Sequence, residues 1–175
     1  AEAQGREPEE FPRFNLFLPA SHCPACKTPL KAWHNIPVLS YLLLRGKCGH
    51  CSSQISMRYP VVELLCGGLF LAIAWLNPPG VVGLALMVFA ASLLVLALID
   101  LDTYLLPDSI TLPLLWAGLL FNLFFAFVPL ASAVSGAALG YLVLWLIYQL
   151  FKLATGKEGM GYGDFKLLAA IGAWL

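Results

Sequence analysis

Charge is scarce in this sequence. Only 11% of its 175 residues are Asp, Glu, Lys or Arg, against about 25% in a soluble globular domain. Hydrophobic residues make up 60% and the mean hydropathy is +0.82, which excludes an ordinary soluble domain and indicates a membrane protein. Ten basic and ten acidic residues cancel, so no positive excess argues for nucleic acid as a partner. Residues 1–15 are polar and lack the basic start and short apolar core of a signal peptide. The closing apolar run, Leu167 to Leu175, is also short, because a spanning helix needs roughly 20 residues. It reads as the start of a longer helix, and the chain as an internal piece of a longer membrane protein.

What is present divides the chain into three parts. Residues 1–20 are charged and carry three prolines, as expected of an irregular cytoplasmic connection. Residues 21–58 hold four of the five cysteines. Residues 59–175 are mostly apolar and form the membrane domain. Apolar runs near 61–77, 81–99, 110–128 and 131–151 can each just cross a hydrocarbon core as a helix, and an incomplete helix starts near 165. Pro78, Pro79, Gly80 and Pro129 punctuate the runs. Pro113 falls early in the third run, where a missing N–H is tolerable. Gly136 and Gly140 give the fourth a small-residue face suited to close helix packing. The expected fold class is an all-α polytopic membrane protein with a small cytoplasmic zinc-binding segment of four cysteines.

Positive charge sets the topology. Lys and Arg occupy positions 6, 13, 27, 31, 45, 47 and 58, then 152, 157 and 166; none lies in the connections 77–80 or 128–132. Basic loops mark the cytoplasmic side. Four crossings bring both basic segments to that side, together with the loop 100–109 and all the acidic residues. Chemistry that uses those acids belongs at the cytoplasmic face of the bilayer.

Cys23-Pro24-Ala25-Cys26 and Cys48-Gly49-His50-Cys51 make a CxxC…CxxC pattern. Two such turns present four thiolates with the tetrahedral geometry and softness that Zn²⁺ accepts. A cytoplasmic position disfavours the alternative, a pair of disulfides, and two matched pairs fit a metal better than a redox CxxC. With Cys23, Cys26, Cys48 and Cys51 all ligating, no position stays open, so the zinc is structural and folds a segment without a sizeable core. His22 and His50 adjoin ligands but read as surface residues. Cys66, inside the first apolar run, reads as a small packing residue.

Four carboxylates sit at the cytoplasmic ends of the apolar runs: Asp100, Asp102, Asp108 and Asp164, with Glu63 two residues inside the first. Ionisable groups at membrane depth are costly and need a role or a partner. Asp108, after Pro107, reads as a helix cap. Asp102 is about 200° around a helix from Asp100 and faces water. Asp100 directly ends an apolar run. Asp164 follows Gly161-Tyr162-Gly163, whose glycines permit close backbone approach. On its own GxGD also fits a helix-start turn; a nucleotide loop is the weaker reading still, because no strand precedes it and the GxGxxG spacing is missing. Two aspartates at one depth on different helices can share a proton, one acting as base toward water and the other donating to a carbonyl oxygen.

The four-cysteine segment, ISMRYPVVELLCG, ALIDLDTYLLPDSITLP and GMGYGDFKLLAAIGAWL occur in that order. In this the chain resembles the prepilin peptidases, the type IV leader peptidases of the bacterial inner membrane. The GxGD element is shared with archaeal preflagellin peptidases and presenilin-type intramembrane proteases, and the cysteine segment favours the bacterial branch. The resemblance implies that Asp100 and Asp164 are the catalytic pair. It implies cleavage of a short basic leader after a glycine in type IV prepilins and pseudopilins. It also implies N-methylation of the exposed residue, with S-adenosylmethionine as donor; nothing in the sequence marks a donor site. Glu63 matches a family motif and reads as structural, capping or pairing near Arg58. The family ordinarily has a helix before the cysteine segment and more after GxGD. The competing reading is a non-enzymatic membrane scaffold or transporter whose zinc segment binds a partner, its acids serving as caps or ion-path residues. Asn122 is the one clear polar group in mid-membrane, with Gln149 near an end, too few for a pathway.

Overall fold

The computed structural model describes residues 22–30, 36–157 and 159–175; the connection expected at 1–20 lies outside the described residues. All regular structure among these is helical: α1 Pro37–Leu43, α2 Arg58–Leu76, α3 Val81–Thr103, α4 Asp108–Phe125, α5 Leu130–Thr155 and α6 Tyr162–Trp174. Four of them, α2 to α5, are long and apolar enough to cross a membrane. The chain is an all-α, multi-pass membrane protein. It divides into two compact units, parted between Leu65 and Cys66.

The first unit contains α1, the cysteine turns and the first turns of α2. With little apolar mass of its own, it is organised by turns. Lys27, Arg45 and Ser52 all adopt left-handed backbone, and Gly46 does so where the Tyr41 ring covers it.

In the second unit α6 lies against α5 and α4. Glycines permit that closeness. Gly136 of α5 faces Gly172 of α6 backbone to backbone, and Gly140 faces the Leu168 carbonyl, so a Cβ at any of these positions would collide with main chain. The small-residue face expected on α5 is used in this way. Farther along α6, Trp174 fills the space over Gly118 of α4. Its ring stacks between Phe89 of α3, at 4.9 Å, and Phe121 of α4, at 5.6 Å. Leu96, Leu114 and Ala170 complete this core. Such packing substitutes for the hydrophobic driving force that is weak between helices in lipid.

Among the described residues no buried side-chain polar atom lacks a hydrogen-bond partner. The Trp174 indole N–H donates to the Leu114 carbonyl at 2.9 Å. The Asn122 amide donates to the Ala173 carbonyl at 2.9 Å and accepts from the Val128 N–H at 2.9 Å. Asn122 therefore closes the exit turn of α4 onto α6; it serves the scaffold, as a buried amide must when water is absent. Pro113 is accommodated inside α4 without ending it.

Candidate active site and metal centre

The two cysteine turns share one backbone pattern. In the first, the Cys23 N–H donates to the Thr28 carbonyl and the Lys27 N–H to the Cys23 carbonyl; in the second, the Cys48 N–H donates to Ser53 and the Ser52 N–H to Cys48. The residue after each second cysteine, Lys27 or Ser52, is left-handed. A single bridge then closes each turn, His22 with Pro29 and Lys47 with Gln54. A hydroxyl follows at the matching place: Thr28 Oγ1 lies 3.3 Å from Cys26 Sγ, and Ser53 Oγ lies 3.1 Å from Cys51 Sγ.

Together the turns place the sulfurs of Cys23, Cys26, Cys48 and Cys51 within 4.8 Å of one another. A tetrahedral ion with Zn–S bonds of about 2.3 Å needs sulfurs roughly 3.8 Å apart, and Cys23 Sγ stands 3.9 Å from Cys51 Sγ. No disulfide forms. The four residues therefore fit a metal ion. Their environment also favours thiolate. The backbone amides of Cys26 and Ala25, helped by Ser53 and Cys26, hold the Cys23 thiol at about 6, against 9.0 for an ordinary cysteine, despite its burial. The Ser53 hydroxyl and amide draw Cys51 down likewise. At Cys48 the amides of Cys51 and His50 pull the same way, but burial and the neighbouring Cys23 and Cys51 sulfurs outweigh them, and its pKa rises. One negative charge thus settles first on the Cys23 side of the cluster. His22 and His50 are exposed, in keeping with surface positions.

Glu63, in the second turn of α2, accepts a hydrogen bond from the Val38 N–H at the start of α1. Its role is to cap another helix within the same unit. Cys66 is half-buried.

The described acidic residues of the second unit fall at one end of its helices. α3 continues through Asp100 and Asp102 to Thr103. Tyr104, left-handed, then ends it with its N–H on the Asp100 carbonyl at 2.8 Å. The chain crosses to α4 through Leu105, Leu106 and Pro107. Leu106 packs on Gly163, where a Cβ would stand 2.8 Å from the Leu106 Cβ. Asp164 is the next residue, in the first turn of α6. Asp100 and Asp164 are both half-buried, while Asp102 is exposed.

Asp108 departs from the reading as a cap. Pro107 is the N-cap of α4, and no side chain caps that helix. The Asp108 carboxylate instead takes the Lys166 ammonium on both oxygens, at 2.8 and 2.7 Å. The reason is positional: the turn ends on Pro107 in extended backbone, which leaves Asp108 as the first helical residue, pointing toward α6. Sequence reasoning missed Lys166 because its partner is 58 residues away. It also missed Thr28 and Ser53, for which a signal existed: both stand two places after the second cysteine of a pair.

Comparison with known proteins completes the description. Residues 6–77 match the bacterial peptidase A24 N-terminal domain, and residues 87–175 match the type IV leader peptidase family. The first region spans the four cysteines and the second spans Asp100 and Asp164. The chain is 56% identical over 167 residues to a prepilin leader peptidase/N-methyltransferase of Neisseria gonorrhoeae, covering 95% of this chain and 58% of that protein. It is 57% identical over 169 residues to a protein of the same name from Aeromonas salmonicida (strain A449), covering 97% and 58%. A third of that name, from Klebsiella pneumoniae, is 53% identical, covering 95% of this chain and 73% of that protein. The chain thus spans about 58% of the length of the first two relatives. No solved structure matches it significantly.

Proposed function

The chain belongs to the type IV leader peptidase family, and from that membership we propose that it carries out prepilin leader cleavage at the cytoplasmic face of a bacterial inner membrane. Asp100 and Asp164 form the catalytic pair. One, ionised, removes a proton from water; the other, protonated, donates to the scissile carbonyl oxygen as the hydroxide adds. Collapse of the tetrahedral adduct returns a proton to the departing amine and breaks the C–N bond. Two half-buried carboxylates are suited to this, because each rests against protein on one side and stays open to water and substrate on the other. The substrate is the precursor of a type IV pilin or pseudopilin, whose apolar helix packs in the bilayer beside the enzyme's own helices while its leader stays in the cytoplasm.

One observation carries the assignment. The turn that follows Asp100 packs, through Leu106, directly on the glycine that precedes Asp164. The Lys166–Asp108 pair ties the same two segments a turn farther on. Methylation of the new N-terminus rests on the relatives' shared name, with S-adenosylmethionine as the methyl donor; no residue is assigned to that step. The four cysteines hold Zn²⁺ as a structural ion, and its chemistry is confined to cross-linking the two turns.

Asp100→Asn and Asp164→Asn, made separately in the whole protein, are expected to abolish prepilin processing in cells, while the exposed Asp102→Asn leaves it intact. Full processing by both of the first two variants overturns the catalytic pair. For the metal, purified protein is expected to contain about one zinc per chain, lost when Cys23 and Cys48 become serine. Zinc retained by that double variant refutes the ligand set.

A further inference from the structure

The first unit carries an apolar surface that zinc binding and peptidase chemistry leave unused. α1 turns Ser40, Tyr41 and Leu44 inward: Ser40 is buried, Tyr41 covers Gly46, and Leu44 lies against Gly49 of the second cysteine turn. On its other side Ile36, Leu39, Leu42 and Leu43 share one face at helical spacing. Leu42 and Leu43 are 70% and 73% exposed, which is far from how such residues sit on a soluble surface.

Two further features say what covers this face. The Val38 N–H is bonded to Glu63, five residues into α2 and so about 8 Å along a helix of membrane-spanning length. That bond sets α1 beside the first turns of the span, at the depth where headgroups meet acyl chains, and an interfacial helix buries its apolar face about 5–10 Å into that boundary. Charge agrees. Between residues 21 and 62 the sequence has Lys27, Lys31, Arg45, Lys47 and Arg58 and no acidic residue at all. A zinc ion with four thiolates carries about two negative charges, so the segment stays positive when loaded. Arg45 and Lys47 follow α1 directly and line an open cleft of about 500 Å³ with Tyr41, Gln54 and Ser56, room enough for a phosphate headgroup among donors.

The geometry points to α1 as an interfacial helix that seats Leu39, Leu42 and Leu43 in the bilayer surface, with an anionic phospholipid headgroup taken by the Arg45–Lys47 cleft. The cysteine segment is thereby laid on the membrane, held by the Glu63 cap at one end of α1 and by lipid phosphate at the other. This does not depend on the peptidase reading, since it uses neither aspartate.

The whole protein in lipid nanodiscs tests it. An environment-sensitive fluorescent amino acid replaces Leu42, and in a second sample Ala25, which is exposed on the first cysteine turn. Bromine placed high on the acyl chains is expected to quench the probe at 42 and spare the one at 25. Quenching increases when phosphatidylglycerol is added to phosphatidylcholine. The Arg45→Gln/Lys47→Gln double variant shifts the docked-to-free ratio roughly thirtyfold toward free, at about 1 kcal/mol per cation, with zinc content unchanged as the check on folding. Where the probe at 42 itself lowers zinc content, position 43 takes its place. The proposal is overturned by a probe that bromine does not reach, by quenching indifferent to phosphatidylglycerol, or by protection that appears only when an apolar helical peptide is added, which assigns the face to a protein.

Discussion

Lys166 grips both carboxylate oxygens of Asp108, tying the second turn of α6 to the first turn of α4. Asp164 sits two residues before the lysine. The pair is partly solvated, with side-chain exposures of 29% for Lys166 and 54% for Asp108, so its worth to stability is below about 1 kcal/mol. Its effect on geometry is another matter. Lys166→Ala or Asp108→Asn is expected to leave protein levels near normal and to slow prepilin cleavage. Exchanging the charges, Asp108→Lys with Lys166→Asp, recovers part of the rate. Cleavage of a prepilin in proteoliposomes measures this, and a swap no better than either single change would argue that the pair does not position α6.

Gly163 is a point of close approach between the α3–α4 turn and α6. A methyl group there meets the Leu106 Cβ at 2.8 Å. Gly163→Ala is expected to push the two segments apart by a fraction of an ångström to an ångström, and misplacement on that scale can cost about a hundredfold in rate. Adding Leu106→Gly removes the collision and restores activity in part. Both variants should still insert and bind zinc; wild-type cleavage by Gly163→Ala would refute the close contact.

Helix association between α5 and α6 depends on Gly136 and Gly172, whose backbones touch. Alanine at either position forces main chains apart and should destabilise the bundle by about 1–3 kcal/mol. Unfolding in mixed detergent micelles, followed by circular dichroism, reads this directly. The control is Gly67→Ala in α2, where a built Cβ meets nothing, and its transition should stay at the wild-type position.

Metal removal exposes the thiol electrostatics. In zinc-free protein, thiolate absorbance should show a first step with a midpoint near pH 6, from Cys23. The sign follows from the depressed value. The Cys23 contribution to folding is fully present above the ordinary cysteine range and is lost as pH falls through about 6. The stripped segment should therefore loosen on acidification, and Ser53→Ala, which removes a hydroxyl beside both Cys23 and Cys51, should move the step upward. A first step near 9 would contradict the arrangement of amides around Cys23.

Much of the fold was legible because lipid simplifies it. Long apolar runs must be helices, so α2 to α5 can be found by length alone. The cysteine spacing pointed to the four thiols that the fold gathers into one cluster able to hold a metal ion, since few other arrangements use two CxxC turns. Pairing between helices was not legible. Periodicity shows that α5 has a small-residue face but not that Gly172 lies on it. Asn122 looked like an isolated polar group in mid-membrane, and only the fold shows it bonded to Ala173 and Val128. Asp108 was misread because helix-cap statistics favour aspartate, whereas one residue of displacement after Pro107 gave it to Lys166. Glu63 was read as capping or pairing near Arg58, whereas it accepts from Val38, 25 residues earlier in sequence, for which there is no local signal.

The two ends of α6 are fastened by different forces. At Trp174 the fastening is aromatic stacking and hydrogen bonds in a buried, apolar setting. At the other end the buried Phe165 ring packs against Tyr141 and Tyr148, and the Lys166–Asp108 ion pair, open to solvent, is added to that packing. Dissolved ions screen exposed charges within about 10 Å at 0.1 M and scarcely reach buried contacts. Ionic strength therefore reaches only one end of α6: it weakens the ion pair beside Asp164 while the buried Phe165 still holds that end, and it leaves the Trp174 end as it was.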